Sequence, residues 1–203
     1  PNVATYPLPA QPPRVLPPSE DGKERLLLTV GRLSQEKGFD SLIVAFQRLA
    51  ADFPDWKLAI LGEGALRQEL SDRIKAAGLV NRILLPGRVG NVGEWYAVAD
   101  LYVMTSRFEG FPNTLAEAMA HGVPAVSFDC DTGPRDIIRH EVDGLLVSPG
   151  DVSALSDALH RLMGDEALRR RFAARAIEAR ERFSMEKIAW MWKALFEELQ
   201  PGK

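Results

Sequence analysis

Two carboxylates stand eight positions apart, Glu109 and Glu117, in the run Glu109-Gly110-Phe111-Pro112-Asn113-Thr114-Leu115-Ala116-Glu117-Ala118. The first falls in a loop that a proline closes, the second inside the helix expected to follow. An apolar run from Leu101 to Met104 leads straight into them. Strand, loop and helix in this order aim both acids and the free N–H groups of the first helical turn at one point. A carboxylate accepts two hydrogen bonds side by side, which matches a vicinal diol. The N–H groups of Asn113 to Leu115 would open the helix and offer a phosphate site. The arrangement suits a ligand with hydroxyl pairs at both ends and phosphates between them.

Both acids have a plainer reading. Thr114-Leu115-Ala116-Glu117 and Ser106-Arg107-Phe108-Glu109 each fit a capping box. For Glu117 that reading stays open beside the functional one. For Glu109 it is weaker, because Gly110 and Pro112 follow and discourage a helix start there.

A second candidate is the loop Gly31-Arg32-Leu33-Ser34-Gln35-Glu36-Lys37-Gly38. Glycine at 31 lets a ligand approach the backbone, and two cations five positions apart can flank one anion. A diphosphate needs charge-assisted donors, with arginine offering a fork and lysine a point charge. Alternatively the loop is solvated and its cations pair with Glu36 or Asp40. Gly62-Glu63-Gly64 lacks the third glycine of a dinucleotide fingerprint and reads equally as a tight turn. No phosphate-binding loop of the G-x-x-x-x-G-K-[ST] type is present. Asp129-Cys130-Asp131 has the D-x-D spacing of a divalent-metal site, but it is also common in strand-exit loops. His121, His140 and His160 have no metal-ligand spacing and read as surface or helix-end residues.

These residues need a scaffold. Apolar runs of strand length occur at 26–30, 57–61, 83–85, 101–104, 124–128 and 145–147, with helical stretches between most of them. Leu66, Leu70 and Ile74 stripe a helix over 64–77, and Leu155, Leu159 and Leu162 stripe one over 151–163. The pattern predicts an α/β fold, a Rossmann-like parallel sheet of about six strands with helices on both faces. Ligands on such sheets bind at the carboxyl ends of the strands, which selects the loops 31–38, 62–65, 86–94, 105–114 and 129–135. The tail is purely helical. Residues 165–182 are rich in arginine and alanine, and a helix over 185–199 stripes Ile188, Trp192, Leu195, Phe196 and Leu199, with Trp190 facing roughly the other way.

Residues 1–20 hold prolines at 1, 7, 9, 12, 13, 17 and 18, so they read as an extended linker before a domain that starts near Asp21-Gly22. At 203 residues the chain suits one good-sized domain. A net charge of −3 gives no reason to expect nucleic acid. The single cysteine, Cys130, cannot form an internal disulfide, and a reducing cytoplasm fits it best. No apolar run reaches membrane-spanning length. Neither a signal-peptide pattern nor a first methionine is present, and the chain is expected to be part of something longer.

With these residues in place, the chain resembles the C-terminal half of a retaining glycosyltransferase with the GT-B fold, sequence family 4. The resemblance runs from Pro1 to about Leu199. It is carried by Gly31-Arg32 with Lys37-Gly38, Leu61-Gly62-Glu63-Gly64, Pro86-Gly87-Arg88-Val89, the E-x7-E pair Glu109 and Glu117, and Gly144-Leu145-Leu146-Val147 with Pro149-Gly150-Asp151. It implies a hexose transferred from a nucleoside-diphosphate sugar, most often a UDP-sugar, to a glycan or lipid-linked acceptor with retention of configuration. It also implies roles. Arg32 and Lys37 would hold the donor diphosphate and, with Glu109, form the catalytic set. Glu109 would bind the hydroxyls of the transferred sugar and Glu117 those of the ribose. The backbone at Gly110, Phe111, Asn113, Thr114 and Leu115 would line the sugar and phosphates, and Arg88 and Val89 would frame the base. Gly31, Gly62 and Gly64 complete the donor-binding set. No metal or other cofactor would be required, since cations and helix N–H groups neutralise the leaving diphosphate.

Family relatives often carry glutamate where this chain has Asp136. The acceptor would sit on an absent N-terminal domain, which could also supply a peripheral membrane contact. Residues 21–183 would then be the donor domain, and 184–203 would cross back to the absent half, leaving an apolar patch exposed around Trp190. Alternatives on the same scaffold are an epimerase, a phosphorylase, or a non-catalytic nucleotide-binding subunit.

Overall fold

Six apolar runs become six parallel strands, because a strand covered on both faces must be apolar on both. The computed structural model describes residues 1–18 and 24–199. The domain start expected at Asp21-Gly22, and residues 200–203 of the expected terminal segment, lie outside them. In chain order the elements are β1 (Arg25–Val30), a short 3-10 turn (Gln35–Lys37), α1 (Phe39–Leu49), β2 (Trp56–Leu61), α2 (Arg67–Ala76), β3 (Ile83–Gly87), α3 (Val92–Val98) and β4 (Leu101–Met104). There follow α4 (Asn113–Ala120), β5 (Ala125–Phe128), α5 (Pro134–Ile137), β6 (Gly144–Val147), α6 (Val152–Gly164), α7 (Glu166–Ala176), α8 (Ala179–Arg182) and α9 (Met185–Leu199).

The strand order is β3-β2-β1-β4-β5-β6. The chain winds outward from β1 to β3, then returns to place β4 beside β1, with Leu27 opposite Leu101 and Leu28 opposite Tyr102. At this switch point the loops after β1 and β4 depart to opposite faces and leave a crevice between them. Alternation along each strand supplies two cores. Leu27, Leu58, Ile60, Val103 and Val126 pack with Phe46 of α1, Leu159 of α6 and Phe172 of α7. Leu26, Leu28, Ala59, Tyr102 and Met104 pack with Trp95 of α3, Met119 of α4 and Ala179 of α8.

Two expectations change in detail, and the exposed apolar surface expected on the last helix is present. The helix expected over 64–77 begins at Arg67, because the residues before it seat the loop after β1. Leu66 N–H donates to Leu33 O at 3.0 Å, and a Cβ on Gly64 would lie 2.4 Å from that same oxygen. The proline segment lies against the domain as a strap. Ala4 N–H donates to Phe183 O, Gln11 N–H donates to Gly90 O, Gly90 N–H donates to Pro13 O, and Val15 O accepts from both Asn91 Nδ2 and Trp95 Nε1. Finally, α9 buries Ile188 while Trp190, Trp192, Phe196 and Leu199 stand exposed, so apolar surface shows on more than one side of this helix. Among the described residues, no helix is long and apolar enough to cross a membrane.

Candidate functional site

The loop after β1 reaches the loop after β4 through main-chain and side-chain bonds that leave little play. Arg107 N–H donates to Glu36 O at 2.8 Å, and Thr105 Oγ1 donates to Lys37 O at 2.9 Å. The Arg107 guanidinium holds both oxygens of Asp40, at 3.0 and 2.9 Å, and donates to Gln35 O as well. Gly38 has φ +64°, and a Cβ there would fall 2.1 Å from Thr105 O, so close approach of the two loops requires glycine.

That approach delivers Lys37 to Glu109. The ammonium nitrogen lies 2.6 Å from Glu109 Oε1, and Ser106 Oγ donates to the same oxygen at 2.6 Å. Among the described residues, Oε2 receives no donor. The acid is only 12% exposed, and Thr132 Oγ1 holds its backbone carbonyl. Lys37 therefore pairs with neither Glu36 nor Asp40, which were the plainer partners. Arg32 is exposed and, among the described residues, has no acidic partner.

Beside this pair α4 begins. Its N-cap is Pro112, with no side-chain cap, and Thr114 lies inside the first turn. The capping-box reading of Glu117 is therefore overturned: the N-cap lies two residues before the threonine that was to fill that place. The Leu115 N–H is spent on Pro112 O at 3.1 Å, which narrows the expected set of free donors. Among the described residues, nothing accepts from the N–H of Asn113 or Thr114.

The crevice encloses about 420 Å³ and is lined by Gly31, Arg32, Lys37, Glu109, Gly110, Phe111, Asn113 and Thr114, together with Val30, Glu36, Phe108 and Pro112. Other expected residues lie outside this lining. Gly62 and Gly64 pack against the backbone of Gly31 and Leu33, where a Cβ would lie 1.9 and 2.4 Å from a carbonyl oxygen. They thereby hold the loop that presents Arg32. Arg88 and Val89 follow β3, the arginine exposed and the valine packed on the second core. The Leu115 side chain is fully buried.

Glu117 is half-buried, and burial raises its carboxyl above the usual range while the Tyr96 hydroxyl pulls it back down. Tyr96 Oη lies 3.1 Å from Thr114 O and 3.4 Å from Glu117 Oε2. Tyr102 donates to Thr114 Oγ1 at 2.9 Å. Burial pushes both phenols upward, so they stay protonated donors. These two tyrosines were missed in the sequence, since tyrosine in an apolar strand or helix reads as core. Ser106, Arg107 and Thr132 were missed too, and only the Ser106–Glu109 spacing hinted at a contact. His121 closes α4, with Nδ1 2.8 Å from Glu117 O, and burial lowers its pKa.

Asp129 is held by Arg135 at 2.9 Å, so one acid of the D-x-D spacing is occupied. Among the described residues, no group of three His, Cys, Asp or Glu side chains is placed to hold a metal ion. Burial pushes the Cys130 thiol up.

Comparison with known proteins decides the family. The description "Glycosyl transferases group 1" matches residues 17–179. The chain belongs to the group 1 glycosyltransferases. Among curated relatives, an uncharacterized glycosyltransferase of Haemophilus influenzae is 30% identical over 188 residues, covering 92% of this chain and 53% of its own. An exopolysaccharide phosphotransferase of Streptomyces coelicolor is 44% identical over 169 residues, 83% of this chain but 18% of that protein. The chain thus spans about half, or much less, of the length of these relatives.

Among solved structures, TarM of S. aureus with Fondaparinux, alpha-GlcNAc-glycerol and UDP superposes with a TM-score of 0.81 at 26% identity, over 90% of this chain and 37% of that one. The C-terminal domain of LpcC, a group 1 family protein of Francisella tularensis, gives 0.72 at 27% identity, over 82% of this chain and 87% of that one. The group 1 domain described here is accordingly the C-terminal, nucleotide-sugar-binding half of a GT-B fold.

Proposed function

We propose that this group 1 domain binds the donor of a retaining hexosyl transfer, a nucleoside-diphosphate hexose with uracil as the favoured base. The observation that carries the reading is the crevice at the β1/β4 switch point, where Arg32, the Lys37–Glu109 pair and the open N–H groups of α4 converge. Arg32 and Lys37 take the diphosphate, and the N–H groups of Asn113 and Thr114 share its charge. Glu109 offers Oε2 to the hexose hydroxyls beside the bare backbone of Gly110 and Phe111. Glu117 takes the ribose diol, and Arg88 and Val89 frame the base at the end of β3. Leu115 contributes through its place in the first turn of α4, while Gly31, Gly62 and Gly64 let the loops close. HepE of Anabaena, solved with UDP, superposes at a TM-score of 0.79 with 26% identity, which supports UDP as the nucleotide.

The chemistry follows from where charge develops. The bond between the anomeric carbon and the diphosphate oxygen breaks, and its electron pair stays on the diphosphate. The acceptor hydroxyl oxygen bonds the same carbon on the face the diphosphate leaves, and its proton passes to the departing phosphate. Cations and N–H groups that bind the growing negative charge more tightly than the ground state lower the barrier. No metal step is needed in this scheme. The acceptor, a glycan or lipid-linked saccharide, docks on an N-terminal domain joined through the proline strap, and the exposed side of α9 crosses to that domain. Relatives named as an amylovoran biosynthesis glycosyltransferase and an exopolysaccharide phosphotransferase support a polysaccharide setting. The lone reduced Cys130 suits a cytoplasmic one.

A donor screen on the two-domain protein, read as nucleotide release, tests this. A UDP-hexose should turn over, and the 203-residue chain alone should bind UDP without turnover. Robust transfer by the isolated chain would contradict the division of labour.

A further inference from the structure

Glu117 stands on α4 beyond the residues that line the crevice, and among the described residues one protein group touches its carboxylate: the hydroxyl of Tyr96, 3.4 Å from Oε2. The Tyr96 ring is fully enclosed. It meets Tyr102 edge-on at 6.2 Å and His121 at 5.1 Å, and its single hydroxyl proton is shared between Thr114 O at 3.1 Å and Glu117 Oε2. A ring packed from two sides and bonded to the helix backbone cannot follow the carboxylate; the carboxylate must follow it. The opposite end of the same helical turn is tied as well, by His121 Nδ1 at 2.8 Å from Glu117 O.

We propose that Tyr96 is a positioning residue for donor recognition. Its hydroxyl holds Oε2 of Glu117 so that the carboxylate plane faces the ribose and accepts both of its hydroxyls. The proposal rests on the ribose role given above to Glu117. A diol presents its two O–H groups in a fixed spacing, so a carboxylate that rotates freely gains one bond at a time and must lose rotamer freedom on binding. Tyr96 uses one lone pair of Oε2 and leaves Oε1, with the second lone pair of Oε2, to the ligand. Preference for ribose over 2′-deoxyribose is thereby built from α3 as well as from α4.

The test is calorimetry with UDP and 2′-deoxy-UDP on the parent domain, Tyr96→Phe, Glu117→Ala and the double variant. The parent should favour UDP. Tyr96→Phe, which keeps the ring and its packing, should reduce that preference about fivefold, chiefly by weakening UDP. Glu117→Ala should abolish it, and adding Tyr96→Phe to Glu117→Ala should change nothing further. A parental preference surviving in Tyr96→Phe, with its loss in Glu117→Ala, overturns the positioning role and leaves the ribose assignment standing. A preference that survives in Glu117→Ala overturns that assignment and the proposal together. An effect of Tyr96→Phe that persists in the Glu117→Ala background shows that Tyr96 acts elsewhere, and also overturns it.

Discussion

The Lys37 ammonium and the Glu109 carboxylate, 72 positions apart in the chain, meet at 2.6 Å across the β1/β4 switch point. Each is mostly buried, at 24% and 12% exposure, so each would be costly to leave alone. The pair keeps the crevice neutral on one side and fixes the distance between the loop that holds Arg32 and the loop that opens α4. A diphosphate arriving beside Lys37 shares a cation already in place.

Replacing Lys37 by alanine removes a charge-assisted donor from the diphosphate site. UDP affinity should fall by about 2 kcal/mol, roughly thirtyfold, in a calorimetric titration at moderate salt. An unchanged affinity would remove Lys37 from the donor site.

Glu117 sets binding against stability. Burial raises its folded-state pKa, so its contribution favours folding below about pH 4.5 and is lost as pH rises through the raised folded value. At neutral pH the ionised carboxylate is a liability that nucleotide binding offsets. Glu117→Gln should therefore raise the unfolding temperature at pH 7 relative to the parent, with the gain vanishing near pH 4, while UDP binding weakens. A gain that is the same at both pH values would point to a cause other than ionisation.

Gly90 tells how the strap is held. It accepts from Gln11 N–H at 2.8 Å and donates to Pro13 O at 2.7 Å, and a Cβ there would fall 1.9 Å from Gln11 O. Gly90→Ala should lift this part of the strap at a cost of about 1–3 kcal/mol. Amide exchange at Gln11 and the fluorescence of Trp95, whose indole N–H donates to Val15 O, report it directly. Parental exchange rates would show that the strap is not docked there.

The loop after α5 depends on Asp143, which is fully buried and accepts from Arg139 N–H at 2.8 Å and Arg139 Nε at 2.6 Å. Arg182 reaches the same carboxylate at 3.5 Å and the Asp136 carbonyl at 3.1 Å, so the acid couples α8 to that loop. Asp143→Ala takes the buried acceptor from two partly exposed arginines and should cost about 2 kcal/mol in denaturant unfolding. A loss below about 1 kcal/mol would mean that water replaces the acid.

The sheet was legible because its central strands are buried on both faces and so read as largely apolar runs, from Leu26 to Val30 and from Leu101 to Met104. Glu109, Gly110, Asn113, Arg32 and Lys37 were legible as candidates because they fall in or beside the loops at the carboxyl ends of strands, where such sheets bind ligands. What escaped the sequence was tertiary. The Lys37–Glu109 pair needs β4 to lie beside β1, and local spacing instead suggested Glu36 or Asp40. The start of α4 at Pro112 overrode a capping-box pattern at Thr114, since Pro112 and Gly133 pack so closely that a Cβ on Gly133 would fall 2.4 Å from Pro112 Cδ. Tyr96 and Tyr102 carry polar roles on apolar faces, where periodicity shows the ring and hides the hydroxyl. The docking of the proline strap depends on Asn91, Trp95 and Gly90, none of which marks itself as a receptor.

The most direct measurement is a calorimetric titration of this domain with UDP and, separately, with uridine. UDP should bind, and uridine, which keeps the base and ribose but lacks the diphosphate, should bind at least about tenfold more weakly. Equal affinities, or no binding of UDP, would contradict a diphosphate site between Arg32, Lys37 and the start of α4.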